Sequence, residues 1–360
     1  MKKILIWVLV IGLLAGFLFP FFSSSDQDLE IQTARFGFNE NINAVSGQEI
    51  NIPFELAENC SALTLSISDS ILLELPRPKR KESFLLDTRK LKLGAYLLQL
   101  SVTDMNGEIY STQATLRILA EKAPQKWTLK LGQSYTHDAQ NYTQGLCFYN
   151  DELYESTGDP NQNGSSMIAK IDLQTGIPIQ KDGLLFKKQL DASKFGEGMA
   201  ILNNEIFQIT WQNQQCFVYD LNTFELKKEL TYRGEGWGLC TDGSQLIMSD
   251  GTERITFRDP KNFSVLRTLD VYTDQGPLPQ LNELEYIDGL IYANIYTSNF
   301  IAVIDPNKGN VLAIIDANNL VNAARGNGEV LNGIAYNSNS QKIYMTGKYW
   351  PKLVEVSIIK

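Results

Sequence analysis

The sequence predicts an all-β protein: a five-bladed β-propeller preceded by a small immunoglobulin-like β-sandwich and an N-terminal hydrophobic segment. Three observations predict it. One strand–turn–strand unit recurs five times between Gln144 and Lys348. Upstream stretches alternate apolar and polar residues with the period of half-buried strands. An unbroken apolar run from Ile4 to Phe22 follows Met1-Lys2-Lys3. At 360 residues the chain has room for more than one core.

The apolar run, rising about 1.5 Å per residue, is just long enough to cross a hydrocarbon core of about 30 Å. Lysines ahead of it favour a cytoplasmic N-terminus and export of the rest of the chain. No cysteine succeeds the run as a lipid acceptor, and no clear small-residue cleavage site is present. Residues 1–26 are therefore expected to be a signal peptide or, preferably, an uncleaved signal-anchor in the cytoplasmic membrane. The remainder is then expected on the periplasmic or extracellular face.

Residues 28–120 read as the sandwich. Glu49 to Leu56 and Leu63 to Ile67 alternate. Gly94 to Asp104 turns at Asn106-Gly107 into Glu108-Ile109-Tyr110, a strong hairpin signature. No chemistry is legible in this segment, and a spacer or docking role is expected. Glu121 to Gln125 reads as a linker to the propeller at 127–360.

The five repeats begin at Gln144, Glu197, Trp237, Asn282 and Asn332, spaced 40 to 53 residues apart. Propeller blades take roughly 40–50 residues. A turn of the form Asp-x-x-x-Gly or Asp-x-x-x-Phe closes a later hairpin at Asp172, Asp220, Asp259 and Asp305. The strand from Trp127 to Leu131 is expected to join the last blade beside Leu353 to Val356 and latch the circle, hiding edges that an open stack would expose. A helical solenoid is disfavoured by the β-branched and aromatic alternation.

Equivalent positions of a propeller lie at equal heights around its axis. The five repeat-initial residues should form one ring at a channel mouth. A second set, near the end of the following strand, is Gly158, Trp211, Gly251, Tyr296 and Lys348. Together the rings hold a carboxylate, an ammonium, several amides and an aromatic wall, the composition of a small-ligand pocket. Singly, each residue reads more readily as packing. Asp250-Gly251 reads as a turn, and His137-Asp138 as a loop that orients backbone.

Composition excludes other chemistries. A net charge of -9 disfavours nucleic acid, and the basic cluster Arg77, Lys79, Arg80, Lys81 reads as a solvated loop. The single histidine, His137, leaves no means of building a multi-histidine zinc site. Cys60, Cys147, Cys216 and Cys240 show no CxxC spacing and read as small buried residues, with a Cys216–Cys240 disulfide left open. No cofactor is expected.

At these same segments the chain resembles the plant and bacterial type of glutaminyl-peptide cyclotransferase, or glutamine cyclotransferase. The matching stretches run from Tyr142-Thr143-Gln144-Gly145-Leu146 through Phe195-Gly196-Glu197-Gly198, Thr210-Trp211, Gly234-Glu235-Gly236-Trp237-Gly238 and Leu281-Asn282-Glu283-Leu284-Glu285 to Thr346-Gly347-Lys348-Tyr349-Trp350. The resemblance spans nearly all of residues 133–356 and leaves out 1–120. It implies a five-bladed propeller and cyclisation of N-terminal glutaminyl residues of peptides or proteins to pyroglutamate, with loss of ammonia and no metal. It also implies Glu197 as catalytic acid and base, Asn282 and Lys348 beside it, and a substrate pocket of Tyr142, Gln144, Phe195, Trp211, Trp237 and Tyr296. Tyr296 stands where the family usually has Trp, and Tyr142 where it usually has Phe. A monomer is expected.

Two other readings stay open at this level. A non-catalytic exported propeller could bind a peptide or glycan, though it would not need Glu197, Asn282 and Lys348 together. A calcium-dependent propeller hydrolase would need several carboxylates converging on the channel, and the first ring supplies only Glu197.

Overall fold

The computed structural model describes residues 34–38, 41–56 and 60–360. The expected membrane segment lies outside the described residues, and among these no helix is long and apolar enough to cross a membrane.

The N-terminal unit has two sheets. One orders Ala34–Phe36, Glu49–Leu56 and Lys81–Asp87; the other orders Asn41–Val45, Ile109–Leu119, Gly94–Asp104, Cys60–Ile67 and Ser70–Pro76. Alternate residues of both sheets, among them Ile52, Phe54, Leu65, Leu100 and Leu116, fill one shared apolar core. The expected hairpin at Asn106-Gly107 is present. Gly107 has φ +90°, and Asp104 Oδ1 accepts from the N–H groups of Asn106 and Glu108. Asparagine and glycine are the residues such a turn tolerates best.

From Tyr142 onward the chain forms successive antiparallel sheets of propeller-like arrangement. Three have four strands in sequence order, the first running Tyr142–Tyr149, Glu152–Gly158, Met167–Ile171 and Lys187–Gln189. Gln180–Lys181 and Leu184–Leu185 form a small two-stranded ladder, and the rest make an eight-stranded sheet, in which Gln125–Thr136 lies between Val311–Asp316 and Lys352–Ile359. The expected latch is therefore built. Lys130 and Leu131 pair with Ser357 and Val356, and Trp127 also pairs in parallel with Ile315. The register places Leu353 opposite Tyr135 rather than opposite the start of the strand, and Gln125 already belongs to the strand rather than to a linker.

The first strands of the repeats pack side by side. Tyr142–Tyr149, Gly196–Leu202, Leu239–Thr241, Leu281–Ile287 and Leu331–Asn337 each touch the next, and the last touches the first. The channel lies among them. Glycine is required where they converge: a Cβ on Gly238 would stand 2.0 Å from the Asn282 carbonyl oxygen. Buried residues such as Ile206, Val218, Ile247, Ile291 and Ile301 fill the layers between sheets.

The repeated aspartate turns show why Gly and Phe alternate at their ends. In each, the backbone N–H four residues on returns to the Asp carbonyl. That fourth residue has positive φ: Gly176 +74°, Phe224 +58°, Phe263 +60° and Gly309 +79°. Glycine takes this conformation without a Cβ penalty. The two phenylalanines occupy it while burying their rings in the layers between sheets.

Candidate active site

The two aligned rings meet in one cavity of about 300 Å³. All nine residues singled out from the sequence line it: Tyr142, Gln144, Phe195, Glu197, Trp211, Trp237, Asn282, Tyr296 and Lys348. Asp159, Pro160 and Gln162 complete the wall.

Backbone irregularity aims the first ring inward. Ladder register shifts between Thr143 and Gly145, Gly196 and Met199, Leu281 and Leu284, and Leu331 and Ile334. Gln144, Glu197, Asn282 and Asn332 fall within those shifts. A bulge releases a residue from strict alternation and lets it turn toward a site. Trp237 just precedes its strand, and its carbonyl accepts from Gly198 N–H at 2.8 Å.

The second ring uses size. Gly158 leaves room for Phe195, whose ring would lie 2.3 Å from an added Cβ; Gly251, at φ +81°, leaves room for the Trp237 ring in the same way. Gly251 is thus both the expected turn and the backing of an aromatic wall. Phe195 meets Tyr142 and Trp211 edge to face, with centroids 6.1 and 5.7 Å apart, and Trp237 meets Tyr296 at 5.3 Å.

Glu197 is buried, and Gln144 Nε2 donates to its Oε1 at 3.0 Å. Asn332 Nδ2 in turn donates to the Thr143 carbonyl and to Gln144 Oε1. Burial pushes the Glu197 carboxyl well above the usual range; Lys348 opposes this and Glu235 reinforces it. Lys348 is also buried, its Nζ 4.4 Å above the Tyr142 ring and 5.1 Å above that of Tyr296. Burial pulls its ammonium down to about 8, against the pull of Glu197 and Glu329. Desolvation thus drives both groups toward neutrality while their mutual attraction favours charge. Asn282 Oδ1 is buried and meets no donor among the described residues.

Three features escaped the sequence reading. Glu235 accepts from the indole N–H groups of both Trp211 and Trp237. Glu283 spans the channel beneath the pocket, its two oxygens accepting from Leu146 N–H and Ile334 N–H. Glu285 lies nearby and is pushed up to about 8, with burial the main cause. Glu283 and Glu285 stand in the same motif as Asn282, but nothing in its spacing shows that they turn into the channel. Among the described residues no group of three or more His, Cys, Asp and Glu is placed to hold a metal. Cys147, Cys216 and Cys240 are free thiols, all buried.

His137 is more than a loop residue. Its Nδ1 lies 2.6 Å from the Trp350 carbonyl and its Nε2 3.1 Å from Glu155 Oε1. Glu155 also accepts from Asn141 Nδ2 and Thr143 Oγ1. Both imidazole nitrogens therefore face acceptors, which calls for an imidazolium donating twice. Burial opposes that charge, but Glu155 and the carbonyl outweigh it and raise the pKa. The cluster ties the segment before the first repeat to the last one, behind the pocket.

The description of the matching family model is glutamine cyclotransferase, and it covers residues 102–358. This match starts upstream of the motifs, within Gly94–Asp104, and so reaches into the last hairpin of the N-terminal unit. Over 230 residues the chain is 38% identical to the glutaminyl-peptide cyclotransferase of Arabidopsis thaliana, covering 62% of this chain and 69% of that protein. The crystal structure of Myxococcus xanthus glutaminyl cyclase matches with a TM-score of 0.60 and 33% identity, covering 66% of this chain and 98% of that one. With the matched segment taking in the whole pocket, the chain belongs to the glutamine cyclotransferase family.

Proposed function

We propose that this protein cyclises N-terminal glutaminyl residues of peptides or proteins to pyroglutamate, releasing ammonia, as a metal-independent aminoacyltransferase with Glu197 as proton shuttle. One observation carries the reading: a buried glutamate, held by Gln144 and electrostatically coupled to a buried lysine, faces an aromatic-walled slot.

The substrate's α-amine attacks its own side-chain amide carbon, so holding the chain folded back is a large part of catalysis. Phe195, Trp211, Trp237 and Tyr296 supply walls that enforce this shape without adding charge. The new C–N bond forms as Glu197 takes a proton from the amine. The same proton then goes to the departing NH2, which leaves as ammonia when the old C–N bond breaks. The Glu197 carboxylate is regenerated. Gln144, committed to Glu197, fits the role of holding the shuttle. Asn282 and Lys348 remain to meet the substrate. Lys348 suits the oxyanion that develops on the carbonyl, and Asn282 Oδ1 suits a substrate N–H.

The finer architecture belongs to the same reading. The cycle of five first strands supports a five-bladed catalytic propeller over 127–360, and the two-sheet core supports an immunoglobulin-like unit over 28–120. The sequence of residues 1–26 supports an anchor that places the enzyme, as a monomer, on the outer face of the cytoplasmic membrane. The test is ammonia release from a Gln-initiated dipeptide by wild type and by Glu197→Gln. Turnover in the first and near loss in the second is expected; equal turnover would remove Glu197 from the mechanism.

A further inference from the structure

The aromatic walls of the pocket fall into two groups that do not touch through ring contacts. Tyr142, Phe195 and Trp211 form one chain of edge-to-face contacts, and Trp237 with Tyr296 forms the other. Glu235 joins them. Its Oε2 accepts from Trp211 Nε1 at 2.8 Å and from Trp237 Nε1 at 3.0 Å, while its Oε1 accepts from Gln212 Nε2 at 3.0 Å.

The backbone beneath this carboxylate is fixed. Gly234 has φ +88°, and Gly236 N–H donates to the Trp211 carbonyl at 2.9 Å. A Cβ on Gly236 would lie 2.9 Å from the Thr210 carbonyl and closer still to the Tyr232 hydroxyl. The glycine pair thus lets Glu235 sit close under both indoles. Trp211 needs such a tether most, because it is 37% exposed at the rim and only its edge-to-face contact with Phe195 packs the ring among the described aromatics.

We infer that Glu235 is a positioning residue, whose carboxylate sets the spacing of Trp211 and Trp237 and so the width of the slot in which the glutaminyl chain folds back on itself. The inference rests on the cyclotransferase reading for its kinetic consequence, but not for the tether. A charged acceptor shared by two indole N–H groups is stronger than a neutral one. Misplacing a reacting group by about 1 Å can cost about 10²-fold in rate. Glu235 also faces Glu197 electrostatically and helps keep its proton affinity high. Charge and tether can be separated, since Glu235→Gln keeps an acceptor oxygen and removes the charge, whereas Glu235→Ala removes both.

The experiment compares the full-length wild type, Glu235→Gln and Glu235→Ala. The first readout is the ultraviolet resonance Raman signature of indole N–H hydrogen bonding, which needs no turnover. The second is kcat and KM for a Gln-initiated dipeptide across pH. Glu235→Ala is expected to weaken the indole signature and to lower kcat/KM by about tenfold or more, chiefly through kcat. Glu235→Gln is expected to recover at least part of that loss, and to move the acid limb of kcat/KM to lower pH because Glu197 loses a neighbouring negative charge. An alanine variant with the wild-type indole signature and kcat/KM within about twofold of wild type would overturn the inference. So would a glutamine variant no better than alanine with an unmoved acid limb. If wild type lacks turnover while the indole signature still responds to Glu235→Ala, the cyclotransferase reading fails and the tether stands.

Discussion

At the scale of single residues, the proposed function turns on a carboxyl and an amine that burial pushes toward neutrality. Glu197→Gln keeps size and can still meet Gln144, but it cannot carry a proton. It is expected to lower kcat by about 10²–10⁴-fold in an ammonia-release assay. Lys348 is held down to about 8. If its ammonium meets the developing oxyanion, kcat should fall as pH rises through that region, and Lys348→Met should lose the alkaline limb with most of the rate. The two groups titrate as a coupled pair, so a pH–rate profile reports constants of the pair. Seven pocket residues were legible in the sequence because the repeat, aligned on itself, places equivalent positions at one height; Tyr142 and Phe195 lie outside those positions and came only with the family resemblance. Glu235 was not, because it belongs to neither aligned position and acts from behind the wall. Asp159, Pro160 and Gln162 were missed for a related reason: they belong to a loop after the second strand of the first repeat, where the repeats differ.

Among the elements, the strand–turn–strand unit was readable in outline, while the device that makes it functional was not. Apolar periodicity and turn residues locate strands, but a register shift leaves no residue signature of its own. Only the recurrence of Gln144, Glu197, Asn282 and Asn332 at the same place hinted that backbone there departs from a plain ladder. The glycines of the second ring give a test at this scale. Gly158→Ala would drive a Cβ to 2.3 Å from the Phe195 ring, and the ring can relieve the contact by moving toward the pocket. Circular dichroism should stay near wild type while KM for a Gln-initiated dipeptide rises by about tenfold, roughly the loss of 1.4 kcal/mol in binding. A variant with unchanged KM would show that Phe195 moves the other way. The aspartate turns illustrate the opposite case, where a local pattern carried its own explanation. An Asp succeeded four residues later by Gly or Phe marked each turn, and positive φ at that fourth residue is the reason.

For the molecule as a whole, closure of the ring holds the pocket together, and one polar cluster sits at that closure. His137, doubly donating to the Trp350 carbonyl and Glu155, joins the first and last repeats. Its pKa is raised on folding. The stability it contributes is therefore fully present below the unfolded value of about 6.5 and is lost as pH rises through the folded value. The Tm advantage of wild type over His137→Gln should shrink as pH is raised from about 6.5 upward. A pH-independent difference would show that the ring is held neutral. His137 read as a plain loop residue in the sequence because its partners, Glu155 and Trp350, are remote along the chain and meet it only when the circle closes. The closing strand was legible from the repeat length, whereas the parallel pairing of Trp127 with Ile315 that merges two sheets was not.

The central claim is that one buried glutamate, working without a metal, moves the proton that lets a glutaminyl amine displace ammonia. Its most direct test is simultaneous measurement of ammonia and pyroglutamyl product from a Gln-initiated dipeptide, in excess EDTA, by wild type and Glu197→Gln. Equal yields of the two products by wild type, unaffected by the chelator, and near loss of both in the variant are expected. Loss of wild-type turnover in EDTA with recovery on adding zinc, or turnover by Glu197→Gln close to wild type, would contradict it.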